Sequence, residues 1–327
     1  MTAIRYDIGG VVLEANMEFP ELALASSAAP VLTFERLAPE MPRSKPVRWV
    51  HRWSLPGDEG NDWALFAWVE REWLIRFPSQ GDFRVSSDGR RIRCHPLRGI
   101  PDATIRHLLL DQVLPLALNH QGRFTLHASA VALGPYAIGF AAQSGSGKST
   151  LVASLAGHGA AVLSDDCLVI EEEGGAWRVL PYYAGVRLWP DNVQALGMGR
   201  SPAMEVAHYT PKLRLGEEAG LPFRRTPTAL RALFFLSEDG AEVSIRRLSP
   251  RGAFMALVES SFTLGVHEAS VLQRQFETIG RMVDAVPCHI LCYPYSYDVL
   301  PRVRHALFDC LGMGHSTGTK CSTAKSG

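Results

Sequence analysis

With 327 residues, 46% of them hydrophobic and 20% charged, the chain can bury one large core or two modest ones. Its 33 basic residues balance 33 acidic ones, so no net field steers it to nucleic acid or to an anionic membrane, and neither partner is expected. No apolar run approaches the roughly 18 residues that span a bilayer. The opening "MTAIRYDIGGVVLEANMEFPEL" also lacks the basic-then-apolar order of a signal peptide, and six scattered cysteines suit a reducing compartment, so the expected location is cytoplasmic.

Residues 1–100 read as short alternating strands broken by turns, as in "WALFAWVEREWLIRF" and in "GDFRVSSDGRRIRCHPL" with its Asp-Gly turn, and predict a β-rich accessory layer. Residues 101–122 predict a linker helix with Asp102 as N-cap, leucines at helical spacing and an end near Gly122; Pro115 should kink or split it. Residues 123–313 should form an α/β domain. It opens with two apolar strands around Gly134-Pro135, then a glycine-rich loop, "AAQSGSGKST", and a helix closed by Gly157 or Gly159.

"AAVLSDD" follows as a buried strand ending in two acids, and "CLVIEEEGGAWRVL" as a hairpin turning at Gly174-Gly175. "LRALFFLSEDGAEVSIRRLS" reads as a further strand pair, "HEASVLQRQFETIGRMVDAV" as an amphipathic helix and "CHILCYPY" as a buried strand rather than a metal site. Residues 314–327, small and polar, predict a disordered tail.

The loop fits the second half of the phosphate-loop pattern G-x-x-x-x-G-K-[ST], with Ala142 where the first glycine would stand. Ser144, Gly145, Ser146, Gly147, Lys148, Ser149 and Thr150 are therefore the candidate nucleotide-binding residues. Backbone N–H groups would turn onto the phosphates, Lys148 would reach the terminal ones, and Ser149 would ligate Mg²⁺. Of the two acids past the loop, one would serve the metal, and the other would face an acceptor hydroxyl as general base. His127 precedes Lys148 by 21 residues (148 − 127), where an antiparallel hairpin could fold it back toward the loop. A histidine between "TL" and "AS" reads by itself as a core residue.

This run, "LHASAVALGPYAIGFAAQSGSGKSTLVASLAGHGAAVLSDD", resembles HPr kinase/phosphorylase, bacterial serine kinases whose nucleotide fold is related to phosphoenolpyruvate carboxykinase. The order is the same, and so are the separations from His127 to Lys148 and from Lys148 to Asp166. The resemblance implies a P-loop-containing α/β catalytic domain that uses ATP and Mg²⁺. Lys148 would act on the terminal phosphates, Ser149 and Asp165 at the metal, Asp166 as proton acceptor from a serine, and His127 as an active-site residue. It covers about residues 120–190. The family's later Glu-Val-Arg-Gly signature has no counterpart; "YAGVRLWPD" stands in its place, making Arg187 a candidate phosphate or substrate contact, with Lys212 and Arg214 of "TPKLRLG" further candidates.

The whole-chain layout is similar to HPr-kinase-related proteins of peptide-modification clusters, including lasso peptide precursor kinases. That likeness implies a peptide or small-protein substrate with an acceptor serine, held partly by the N-terminal layer, and leaves a homo-oligomer open. Two other readings of the residues stand beside it: a carboxykinase-like or nucleotidyl-transferring enzyme on a small molecule, and a nucleotide-sensing module without catalysis.

Overall fold

The computed structural model describes residues 3–25, 29, 31–39, 48–54, 60–143, 145–237, 240–262 and 269–313. Ser144 and the expected tail at 314–327 lie outside them. The architecture is mixed α/β, with two nine-stranded sheets and one three-stranded sheet.

The first sheet takes its strands from residues 4–96. From edge to edge these are Ala23–Leu24, Ile4–Ile8, Val11–Ala15, Leu32–Arg36, Arg91–Pro96, Gly81–Ser86, Glu72–Phe77, Ala64–Val69 and His51–Trp53. Leu32–Arg36 runs parallel to both of its neighbours, and the remaining pairs are antiparallel. The expected hairpins are present at Glu70-Arg71, where both residues adopt positive φ, and at Asp88-Gly89.

A helical stretch from Asp102 to His120 packs beneath this sheet. Its N-cap is Pro101 rather than Asp102, because Pro101 is already extended (φ −66°, ψ 149°) and the Asp102 carboxylate is drawn to Arg36 Nε at 3.0 Å. Pro115 does not split the helix. A π-turn over Leu109–Val113 precedes it, a wider turn that accommodates a ring without an N–H where an α-helical bond would otherwise be required. The stretch is a core element on its apolar side: Ile105, Leu108, Leu109, Val113, Leu114, Ala117 and Leu118 are fully buried, in one cluster with Ile8, Leu13 and Ile75 of the sheet. Val169 and Leu180 of the second sheet, with Cys167 and Tyr182 flanking its strands, join the same cluster.

The second sheet runs Phe124–Leu126, Leu168–Glu173, Ala176–Leu180, Thr228–Ser237, Tyr136–Ala141, Ala128–Leu133, Ala161–Ser164. Its central strands alternate between two faces, as a pleated strand must. Val131, Ile138 and Phe140 meet Leu151, Val152 and Leu155 of helix Lys148–Ala156 and Val303 and Leu307 of helix Leu300–Cys310. Ala130, Ala137 and Ala141 face the opposite side with Leu257 of helix Pro250–Ser260 and Ile279 and Met282 of helix Ala269–Ala285. The hairpin at Gly174-Gly175 is present, both glycines at positive φ.

The expected pair after residue 228 is corrected. Thr228–Ser237 and Ser244–Arg247 do not meet, because Cys288–Cys292 inserts between them, parallel to the first and antiparallel to the second. Among the described residues no helix is long and apolar enough to cross a membrane.

Candidate active site

The buried strand Tyr136–Ala141 delivers the chain into the glycine loop, and helix Lys148–Ala156 leaves it. Gly145 (φ +92°) and Gly147 (φ +84°) take the left-handed conformation that side chains resist, which turns the backbone sharply at the helix start. Lys148 is folded inward rather than solvated, with 4% of its surface exposed. Its ammonium donates to the Ala142 and Gln143 carbonyls (2.6 and 3.1 Å) and to His127 Nε2 (3.3 Å). Burial lowers the pKa of Lys148, an effect that the nearby Asp166 and Asp165 charges oppose.

His127 falls in a break between Phe124–Leu126 and Ala128–Leu133, two strands that pair with different partners. The hairpin folds it onto the loop. Its Nδ1 lies 3.1 Å from the Asp166 carbonyl, which can only accept, so Nδ1 carries the proton and Nε2 is the lone pair facing Lys148. Burial, then the Lys148 charge, lowers its pKa, so the imidazole is neutral at pH 7.

The two acids separate because Asp166 has φ +63°, a left-handed conformation that aspartate tolerates better than most residues. Asp165 is fully buried. Its Oδ1 accepts from Ser129 Oγ (2.6 Å) and Ser149 Oγ (2.9 Å), and its Oδ2 from the backbone N–H of Arg187 (2.9 Å). Burial and the adjacent Asp166 charge raise its pKa. Asp166, with 22% of its side chain exposed, accepts from Arg187 Nη2 at 2.7 Å. Burial would raise its pKa too, but Arg187, His127 and Lys148 outweigh that and hold it well below the usual carboxylate range.

Arg187 lies on strand Val186–Leu188 with 4% of its surface exposed. Its Nη1 donates to Asp111 Oδ2, its Nη2 to Asp166, and its plane lies over the Tyr183 ring at 5.8 Å. Asp111 in turn accepts from Tyr183 Oη (3.0 Å) and from His107 Nδ1 (2.5 Å). The guanidinium is thus directed at carboxylates inside the protein and is not presented as a phosphate contact. Burial opposes its charge, but Asp111 above all holds its pKa well above the ordinary value.

The remaining candidates divide. Thr150 Oγ1 accepts from Asn192 Nδ2 (2.8 Å), and Ser146 is buried in the loop. Lys212 lies on the site side, its Nζ 5.3 Å from the Trp189 ring and its charge felt by both Lys148 and Asp166. Arg214 is not brought there: its Nη1 pairs with Glu21 (3.1 Å), a residue that also pairs with Arg106 (3.0 Å), so it ties the three-stranded sheet to the N-terminal layer.

Ser149 Oγ and Asp165 Oδ1 are hard oxygen donors side by side, the chemistry Mg²⁺ requires, and that ion takes one or two carboxylates with the rest from phosphate and water. Among the described residues no group of three or more His, Cys, Asp or Glu is arranged to hold a metal by protein ligands alone.

Sequence reading missed Asp111, His107, Tyr183 and Ser129. An acid inside "HLLLDQV", four residues after a histidine on a leucine-lined helix, was the available signal for the first two; Ser129 lies two residues after His127.

The chain matches no family model and no curated protein. Among solved structures it is similar to the Hpr(Ser) kinase/phosphatase from Coxiella burnetii, at 11% identity, with 58% of this chain and 97% of that one covered and a TM-score of 0.31. That likeness is too loose to carry fold or site from one protein to the other.

Proposed function

We propose that the chain is an ATP- and Mg²⁺-dependent kinase with an HPr-kinase-like, P-loop-containing catalytic domain over residues 123–313. It transfers the γ-phosphoryl group to a serine-type hydroxyl of a peptide or small protein, which residues 1–100 help to hold. One observation carries this reading. A cation whose hydrogen-bond acceptors among the described residues are all neutral, Lys148, and an ionised, partly exposed carboxylate, Asp166, flank one histidine at the start of a glycine-loop helix. The first suits a polyphosphate and the second an acceptor hydroxyl.

Among the described residues Lys148 donates only to carbonyls and an imidazole, with the Asp165 and Asp166 charges near but not hydrogen-bonded to it, so a phosphate oxygen is a better partner than any it has. Ser149 and Asp165 would hold Mg²⁺, which when bound neutralises charge on the phosphates. Arg187 fixes the Asp166 carboxylate, which orients the acceptor hydroxyl. Because its pKa is depressed, Asp166 is a weak base; it takes the proton late, as suits a loose transition state in which positioning and charge dominate.

Incubating the purified chain with labelled ATP, Mg²⁺ and small proteins encoded by adjacent reading frames should give a product heavier by one phosphoryl group. A product heavier by a whole nucleotide would establish nucleotidyl transfer instead. Asp166→Asn should keep nucleotide binding and lower transfer by about 10²–10⁴-fold. Transfer at the wild-type rate would remove Asp166 from the chemistry.

A further inference from the structure

Beside the loop lies an open pocket whose walls include Gly147, Thr150, Asn192, Tyr293, Tyr295 and Tyr297. The three tyrosines come from one short segment, "YPYSY", that follows the buried strand Cys288–Cys292. The Tyr295 ring stands 77% exposed, yet it is tethered: its hydroxyl donates to the Gly145 carbonyl at 3.0 Å. Tyr297 Oη donates to Asn192 Oδ1, and Asn192 Nδ2 to Thr150 Oγ1, so the far wall is braced on the loop helix. Tyr293 closes the inner end, its hydroxyl 3.5 Å from where a side chain on Gly147 would begin.

Among the described residues no charged side chain lines this space. Away from the loop it offers no ionic partner to a phosphate or carboxylate, but it offers aromatic faces and neutral hydrogen-bonding groups one step from the residues that suit phosphate. We infer that the pocket takes the purine base of the nucleotide whose phosphates lie on the glycine loop, with Tyr295 stacked against it. Two fused rings present more stacking surface than one, which favours a purine over a pyrimidine. The inference rests on the loop's holding phosphate.

Calorimetric titration of the full chain with Mg-ATP and, separately, with inorganic tripolyphosphate tests it. Tyr295→Ala should weaken ATP about tenfold and leave tripolyphosphate unchanged, because only the base loses its stacking partner. Tyr295→Phe should retain wild-type affinity within about twofold, since the ring remains. The exposure of Tyr295 makes misfolding a poor account of any loss, and an unchanged melting temperature checks this. Equal weakening of both ligands would mean that Tyr295 acts through the Gly145 tether, and weakening of neither would mean that the pocket is unused. Either result overturns the proposal while leaving the loop reading intact. A wild-type chain that binds UTP as well as ATP overturns the purine assignment. If it binds neither ATP nor tripolyphosphate, the loop reading fails and this one with it.

Discussion

Lys148 on the loop and Arg187 on the floor are equally hidden, each with 4% of its surface exposed, but the two regions neutralise their cations differently. Arg187 donates to the carboxylates of Asp111 and Asp166, with Asp165 Oδ2 4.0 Å from its Nε, whereas Lys148 donates to two carbonyls and an imidazole. A buried cation surrounded by carboxylates belongs to the fold. One held by neutral acceptors is poised for an anion from outside. On the proposed reading the floor supplies rigidity and the loop supplies binding, so the two should fail in different ways.

The widest separation comes from removing each cation. Arg187→Met strips the shared partner from Asp111 and Asp166 and should cost about 3–5 kcal/mol of folding stability, the usual cost of stranding buried charge. Lys148→Met leaves neutral acceptors without a donor; it should cost about 1–2 kcal/mol of stability, less than the Arg187 change, while abolishing detectable nucleotide binding. Urea unfolding and calorimetry on both variants decide the matter. Comparable destabilisation would show that Lys148 is as structural as Arg187.

The same contrast governs what the sequence disclosed. The loop is written in one run, with Gly145, Gly147, Lys148 and Ser149 all within five positions, and the hairpin that returns His127 is local too, so its position could be counted. The floor is assembled from residues 107, 111, 165, 166, 183 and 187, and nothing in the local pattern says that a helix before the first strand of the second sheet will meet a strand after its hairpin at Gly174-Gly175. The fold divides likewise. Hairpins and helices were legible from turn residues and periodicity, whereas the insertion of Cys288–Cys292 between two strands some fifty residues upstream was not, because pairing partners far apart leave no mark on either segment. For Asp102 an ion pair to Arg36 changed the expected local outcome, and at Pro115 a π-turn stands where a kink or split was expected.

A milder change to the floor should affect catalysis before binding. Asp111→Asn keeps an acceptor for Tyr183 Oη but removes the charge that anchors Arg187 Nη1. The expected loss is about 1–3 kcal/mol of stability, together with a drop in transfer rate of about tenfold as Arg187 holds Asp166 less firmly. Mg-ATP affinity should stay unchanged, because among the described residues no hydrogen bond joins Asp111 to the loop. A parallel loss of affinity would mean that floor and loop form a single unit.

The smallest effect lies where the regions meet, at His127, and its sign follows from the hydrogen bonds. With Nδ1–H committed to the Asp166 carbonyl, any added proton must sit on Nε2, 3.3 Å from the Lys148 ammonium, so burial first and then that charge lower the pKa in the folded chain. In the unfolded chain the imidazole protonates near pH 6.5. As pH falls below that value the unfolded state binds the extra proton first, so His127 removes stability from about pH 6.5 downward, until the folded form protonates as well. His127→Asn can keep a donor to the Asp166 carbonyl and cannot titrate. The wild type should therefore lose stability more steeply than this variant between pH 7 and pH 5, as read from urea midpoints at each pH, and the two should run parallel above pH 7. A wild-type curve that rises relative to the variant on acidification would mean that His127 is charged in the folded site. It would then serve the phosphates as a second cation rather than hold Lys148 in place.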